Sequence, residues 1–130
     1  LVLATLHTND ASSAVTRLTD MGVEPFLLSS SLLGVLAQRL VRKLCVHCKK
    51  DDQAVGCEHC GHTGYSGRSG VFELLVTDDA IRAQIHNRAS EAEVRAAALA
   101  AGMVLMREDG ERLVGQGTTS RAELLRVTRD

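Results

Sequence analysis

The chain has 130 residues and a formal net charge of −1, and 45% of its residues are hydrophobic but only 2% are aromatic, so Leu, Val and Ala have to build its core. Its charges are spread along the chain, and no basic block indicates a nucleic acid or an anionic membrane as partner. No apolar run approaches the ~20 residues that cross a bilayer, and the first residues do not resemble a signal peptide. We therefore predict a globular chain that does not insert into a membrane.

The first 36 residues predict one strand followed by two helices. Residues 1–6, "LVLATL", are almost continuously apolar, which is typical of a strand buried on both faces. Because this strand begins at residue 1, we expect the chain to be part of a longer protein. Apolar residues recur at a helical period from about Asn9 to Gly22. Pro25 then begins a second helix, which we expect to reach about Leu36 and to be buried, since it is apolar nearly all round.

The middle of the chain predicts two strands separated by a loop. "QRLVRKLC" (residues 38–45) favours a short strand, and "GVFELLV" (residues 70–76) has the alternation of a second strand. Residues 51–70 are rich in glycine and predict a loop. A strand followed by helices, with further strands beyond them, indicates an α/β arrangement.

The rest of the chain predicts four helices. Two of them begin at capping boxes, in which a serine precedes a glutamate by three residues, at Ser90 and at Ser120. The other two span residues 78–87 and 105–114, approximately. Arg39 and Arg42, in the strand before the cysteines, are interpreted as structural residues or subunit contacts.

All four cysteines lie within sixteen residues, in the two pairs "CVHC" (Cys45, Cys48) and "CEHC" (Cys57, Cys60). Two thiolates separated by two residues in a tight turn reach one ion at ~2.3 Å, and two such pairs complete a tetrahedron. Sulfur ligands in this geometry favour zinc, and a shell of four leaves no open position. The spacing therefore predicts a structural zinc site in a reducing compartment.

Two other interpretations of the cysteines remain open. The pairs could be redox dithiols, although a redox motif usually occurs singly at the start of a helix, or they could be thiols without a metal. Three histidines (His47, His59 and His62) lie close enough in sequence to replace a cysteine, but four sulfurs suffice, so we interpret the histidines as bystanders. The eight-residue link "KKDDQAVG" is short compared with the ~15–20 residues of generic zinc ribbons.

Four segments together resemble one family. They are "LVLATLHTNDA", "VTRLTDMGVEPFLLSSSLLGVLAQRLVRKLC", "CGHTGYSGRSGVFELL" and "TSRAELLRVT", and they are similar, in the same order, to the C-terminal end of the type II secretion and type IV pilus assembly ATPases. The resemblance implies an α/β fold in three parts. Residues 1–44 would be the second part of a RecA-like ATPase core, residues 45–69 an inserted four-cysteine zinc knuckle, and residues 70–130 a strand with a helical C-terminal tail.

The resemblance also implies roles for three residues. "TLHTN" resembles the family's histidine box, which would place the catalytic His7 beside the γ-phosphate of ATP, where it hydrogen-bonds a phosphate oxygen or the attacking water. Arg17 in "VTRL" and Arg68 in a glycine-rich loop, "GYSGRSG", match arginines of the family pattern and would bind nucleotide or contact another subunit. The alternatives are that His7 satisfies a backbone group at the strand end and that the arginines form ordinary ion pairs.

What the resemblance implies for the full-length protein is a cytoplasmic hexamer that hydrolyses ATP with magnesium and drives pseudopilus assembly for type II secretion. It would associate with the inner membrane through platform and linker proteins. No G-x-x-x-x-G-K-[ST] loop and no acidic magnesium box occur in this sequence, so we expect no hydrolysis by this part alone. A type IV pilus assembly ATPase is the alternative. A zinc-ribbon module for protein interaction or nucleic-acid binding is an alternative of another class, disfavoured by the near-neutral charge and few aromatics.

Overall fold

The computed structural model describes residues 1–128, and these form an α/β chain in which two long strands are flanked by helices. The elements are, in chain order, α1 (Ala11–Asp20), α2 (Pro25–Ser31), β1 (Gly34–Leu44), a 3-10 turn (Glu58–Cys60), β2 (Tyr65–Val76), α3 (Asp79–His86), α4 (Glu91–Ala100), α5 (Met106–Gly115) and α6 (Arg121–Val127). The two strands pair in one sheet. They are antiparallel, because Thr77 N–H donates to the Leu33 carbonyl at one end and Cys45 N–H to the Gly64 carbonyl at the other.

The backbone groups into two compact units. The first unit comprises Leu1–Ala37 and Glu73–Val104, and the second comprises Gln38–Phe72 and Leu105–Asp130, of which residues 105–128 are described. Each unit thus combines segments that are distant in sequence. The division expected from the sequence (residues 1–44, 45–69 and 70–130) follows the family resemblance, whereas these two units follow spatial contacts. The expected division therefore stays a prediction.

In the first unit, helices α1–α4 pack around the start of β1 and the end of β2, which pair with each other. Its core is a cluster of buried side chains from all four helices and β2: Ala11, Val15, Leu28, Leu75, Ile81, Ile85, Val94 and Ala98. Helix α1 begins where predicted, with Asp10 as its cap, since the Asp10 carboxylate accepts the Ser13 N–H at 2.8 Å. Helix α4 is capped by Ser90, whose hydroxyl accepts the Glu93 N–H, which is one of the two bonds of the predicted capping box.

Three predictions for the first unit were wrong. Residues 1–6 are exposed and form no strand, because no strand among residues 1–128 pairs with them. The second helix ends at Ser31 rather than near Leu36, because the backbone becomes extended at Leu32 and continues into β1. This helix is also less buried than expected, with Phe26 57% exposed.

The second unit contains the rest of β1 and β2, the segment between them with the four cysteines, α5 and α6. Strand β2 begins at Tyr65, so the predicted loop over residues 51–70 was too long and Arg68 lies in a strand rather than in a loop. Helix α6 is capped by Ser120, whose hydroxyl accepts the Glu123 N–H, which is one of the two bonds of the predicted capping box. No helix of the described chain combines the length and apolar character that crossing a membrane requires.

Candidate functional site

The four cysteine sulfurs come together in the second unit. Their Sγ atoms all lie within 4.8 Å of one another, and they are the group of potential metal ligands that residues 1–128 assemble. The Sγ–Sγ distances are 3.8 Å for Cys45 and Cys57, 3.9 Å for Cys48 and Cys60, and 3.9 Å for Cys57 and Cys60. Each cysteine is a free thiol. Each of these separations is nearly twice the ~2.05 Å of a disulfide bond.

Two backbone turns present the thiols. The first begins at the end of β1 and is closed by the Lys49 N–H, which donates to the Cys45 carbonyl at 3.0 Å. The second is the 3-10 turn Glu58–Cys60, closed by the His62 N–H, which donates to the Cys57 carbonyl at 2.8 Å. Each pair of cysteines therefore lies on its own tight turn, as the spacing of two residues predicts.

A compact link connects the two turns. Lys50 and Gln53 exchange two backbone hydrogen bonds of 3.2 and 3.0 Å around Asp51 and Asp52. Both aspartates have left-handed backbones, with φ of 51° and 57°, as a two-residue hairpin turn of type I′ requires. The reversal needs only four residues, which explains how an eight-residue link joins the pairs.

Glycine permits a close approach within the second turn. Gly64, at φ 83°, lies so near the link that a Cβ there would be 2.5 Å from the Ala54 Cβ. Gly56, at φ 109°, would place a Cβ 2.8 Å from the His62 carbonyl oxygen. These contacts hold the link against the second pair of cysteines.

Backbone amides point at the sulfurs. Gly56 N–H donates to Cys48 Sγ at 3.3 Å, and the amides of Cys57 and Gly64 each donate to Cys60 Sγ at 3.2 Å. Burial raises the pKa of the Cys60 thiol, but these two amides, with the neighbouring thiols of Cys48 and Cys57, outweigh burial and lower that pKa to about 6. Donors of this kind stabilise a thiolate and orient it as a ligand.

The donor set fits a tetrahedral ion. Four ligands at the ~2.3 Å of a zinc–sulfur bond stand about 3.8 Å from one another, close to the sulfur separations here. The histidines lie outside this set, although the rings of His47 and His59 stack with centroids 4.0 Å apart. The cluster can therefore hold a metal ion with its four thiols alone.

His7 and Arg17 line a second candidate site, in the first unit. Both line an open cavity of about 240 Å³ at the start of α1, together with Thr8, Asn9, Ser13, Thr16, Asp20 and Glu91. His7 is exposed and Arg17 projects from α1. Thr8 donates its hydroxyl to the Asp10 carbonyl, so it supports the turn into the helix. Arg68, in the second unit, is exposed on β2.

A buried carboxylate that was not predicted from the sequence supports the turn between His7 and α1. Glu73 of β2 is 4% exposed and accepts the Ala11 N–H at 2.8 Å, at the start of α1. Asp10 also pairs with Arg95 of α4 at 2.6 Å. The glutamate interrupts the apolar run of β2, and that interruption is the signal that could have found it. The turn after His7 is thus anchored to both β2 and α4.

The chain is similar to known proteins along nearly its whole length. The family described as "Type II/IV secretion system protein" matches residues 1–126. The chain is 64% identical to the type II secretion system protein HxcR of Pseudomonas aeruginosa, 47% identical to the type II secretion system ATPase E of Vibrio cholerae, and 46% identical to the type IV pilus assembly ATPase PilB of Thermus thermophilus. These alignments cover 100%, 100% and 98% of the chain, but only 29%, 30% and 17% of the relatives.

The structure is also similar to the crystal structure of the pilus retraction motor PilT with bound ADP. The TM-score is 0.67 at 23% identity, over 96% of this chain and 31% of that one, which shows the shared α/β fold. The alignment with the Vibrio relative spans 151 positions against 130 residues here, so that relative carries residues that this chain lacks. Because the family match extends over residues 1–126, this chain belongs to the type II/IV secretion system protein family.

Proposed function

We propose that this chain is the metal-stabilised C-terminal portion of an ATPase that powers type II secretion. The proposed role in nucleotide binding rests on one observation. His7 and Arg17, ten residues apart in sequence, line one cavity. Two of the relatives named above are ATPases, one of type II secretion and one of pilus assembly. The 64% identity to a type II secretion protein, against 46% to the pilus assembly ATPase, favours secretion. The fold is in keeping with the C-terminal part of a RecA-like core.

In this proposal the cavity faces the phosphates of ATP. A neutral imidazole offers one donor and one acceptor, so His7 would hydrogen-bond a γ-phosphate oxygen or the attacking water. Arg17 would supply positive charge to the same group, and Arg68 would act at nucleotide or at a subunit contact of a hexamer. The chain would contribute these groups to a site whose phosphate loop and magnesium ligands lie elsewhere in the full-length protein, so it would not hydrolyse ATP alone.

The four-cysteine cluster would hold zinc in a structural role. Cys45, Cys48, Cys57 and Cys60 supply four soft ligands at suitable separations, which leaves no coordination position for a substrate. The ion would supply cross-linking between the two turns and no chemistry of its own. The full-length protein would be cytoplasmic and would meet the inner membrane through platform and linker proteins.

The experiment is ATP hydrolysis by the full-length protein that carries this chain, with His7→Ala compared with His86→Ala. His86 is an exposed histidine in the last turn of α3 and does not line the cavity. We expect kcat to fall about 10²-fold or more for His7→Ala, as when one group that stabilises developing charge is removed, and to stay unchanged for His86→Ala. Zinc content should be the same in both. Unchanged turnover in His7→Ala would contradict the catalytic role.

A further inference from the structure

We propose that the four-cysteine site, when it holds its metal, fixes the turn between α5 and α6 through the residues that flank the first cysteine pair. We call residues 116–120 the α5–α6 turn. The inference rests on the metal binding proposed above and extends it, because it assigns the metal a specific mechanical target within the second unit.

Two successive carbonyls of the α5–α6 turn are held by the two flanks of one cysteine pair. Leu44, directly before Cys45, donates its N–H to the Thr118 carbonyl at 2.8 Å. Lys49, directly after Cys48, donates from Nζ to the Gly117 carbonyl at 3.0 Å. The residues before and after the first cysteine pair therefore both donate hydrogen bonds to the α5–α6 turn.

Gly117 is shaped for this contact. Its φ is 72°, and a Cβ there would lie 2.9 Å from Asp52 Oδ1 and 3.3 Å from Lys49 Nζ. The link between the cysteine pairs thus closes over a residue that has no side chain. The Gly117 carbonyl accepts from the Lys49 ammonium, and a side chain at this position would displace the flexible ends of the Lys49 and Asp52 side chains.

A metal ion would hold Leu44 and Lys49 at a fixed separation. Ligation of Cys45 and Cys48 to one ion fixes the backbone between them, whereas without the ion their sulfurs are held only by hydrogen bonds such as those to Cys57 and Gly56. Without the ion, Leu44 and Lys49 would still be close in sequence, but the turn that presents them would be free to open. The carbonyls of Gly117 and Thr118 would then lose their donors.

Other contacts of the same turn do not involve the cysteine segment. Thr119 donates its hydroxyl to the Arg42 carbonyl at 2.7 Å, and Ser120 Oγ lies 2.7 Å from the Tyr65 hydroxyl oxygen. These groups belong to β1, β2 and the start of α6. We therefore expect loss of the metal to loosen residues 117 and 118 while the start of α6 stays in place.

The experiment measures amide hydrogen exchange by NMR on this 130-residue chain, loaded with Zn²⁺ and after removal of Zn²⁺ by a chelator. The diagnostic amides are Gly117 and Thr118, which donate to the Val114 and Leu113 carbonyls. We expect their exchange to rise about tenfold without zinc, since one charged hydrogen bond and one backbone bond are lost. The Glu123 amide, bonded to Ser120 Oγ, should change less than about twofold.

The zinc-loaded variant Lys49→Met tests the contact without removing the metal. It should raise exchange at Gly117 by a smaller factor, because only the Lys49 bond is lost, while the variant still binds one zinc per chain. Lys50→Met is the matched control, because Lys50 is exposed and its bonds to Gln53 are made by its backbone. If zinc binds and exchange at both amides is unchanged on metal removal and in Lys49→Met, the coupling is overturned and the metal site stands. If no zinc binds, both proposals are overturned.

Discussion

Arg42 and Glu123, 81 residues apart in sequence, meet through three separate N–H groups. The backbone N–H and Nε of Arg42 donate to Glu123 Oε2 at 2.9 and 2.7 Å, and Nη2 donates to Oε1 at 3.2 Å. Arg126 adds a bond from Nε to Oε1 at 2.6 Å. The Glu123 carboxylate is fully buried, so these donors satisfy a charge that water does not reach. The pairing ties β1 to α6 within the second unit.

This carboxylate gives the second unit a predictable pH dependence. Burial raises the pKa of Glu123, but the hydrogen bonds from Arg126 and Arg42 outweigh burial and lower it from its ordinary 4.5 to about 2. A lowered folded-state pKa stabilises the fold fully above about pH 4.5, and this stabilisation is lost as the pH falls toward 2. We expect about 2 kcal/mol to be lost over that range, less than the full shift implies, because both arginines are partly exposed to solvent.

The measurement is urea unfolding of the chain and of Glu123→Gln at intervals between pH 7 and pH 2. Any metal loss in acid affects both proteins, so the quantity to follow is the difference between their unfolding free energies. The difference should be largest above pH 4.5 and shrink toward pH 2. A difference that stays constant with pH would mean that Glu123 is not the group responsible.

Removal of one thiol is expected to abolish metal binding. Cys57→Ser leaves three sulfurs, and a serine hydroxyl is a poor ligand beside them, so zinc content should fall from one per chain to near zero. Because metal binding contributes to folding, the melting temperature should fall as well. Measurement of zinc by atomic absorption, with a thermal melt of the same sample, tests both effects.

The control for that substitution is His59→Ala. His59 stacks on His47 but lies outside the sulfur cluster, so this variant should keep one zinc per chain. Full zinc retention in Cys57→Ser, or zinc loss in His59→Ala, would show that the ligand set is not the four cysteines. The second result would favour a histidine as ligand.

Local sequence patterns predicted the features that depend on residues close together in the chain, such as helix caps and the cysteine pairs. The serines before α4 and α6 accept the expected amides, because a cap needs only a residue three positions away. The cysteines come together for a similar reason, since two thiols on one turn are positioned by the turn itself. Patterns of this range are visible in one sequence.

Contacts between segments that are distant in sequence were not predicted. Glu73 and Ala11 are 62 residues apart, so the break that Glu73 makes in the apolar run of β2 does not identify its partner. The burial predicted for residues 1–6 and for Phe26 failed for a related reason, because burial depends on what packs against a segment. The described residues leave these side chains largely exposed, so their apolar character does not by itself bury them.

The buried Glu73 carboxylate is expected to stabilise the start of α1. Glu73→Ala would leave the Ala11 N–H without its acceptor, at a cost of about 1–3 kcal/mol, whereas Glu73→Gln keeps an oxygen and should lose less. Glu24→Ala is the control, since Glu24 is exposed and its side chain makes no capping hydrogen bond to α2. Urea unfolding of the three variants compares them. Equal stability of Glu73→Ala and Glu24→Ala would contradict the assigned contact.

The last prediction concerns the close approach of the link to the second cysteine turn. Gly64 and Gly61 both have left-handed backbones, with φ of 83° and 65°, so an alanine at either position carries a similar conformational cost of roughly 1–2 kcal/mol. They differ in their surroundings: a Cβ at Gly64 would be 2.5 Å from the Ala54 Cβ, while nothing lies within 4 Å of a Cβ at Gly61. Gly64→Ala should therefore be less stable than Gly61→Ala by about 1–3 kcal/mol in thermal or urea unfolding. It should also bind zinc more weakly in a competition titration with a chelator, because the displaced link moves the Gly64 amide away from Cys60 Sγ. Equal stability and equal zinc affinity of the two variants would mean that the link does not pack against this turn in solution.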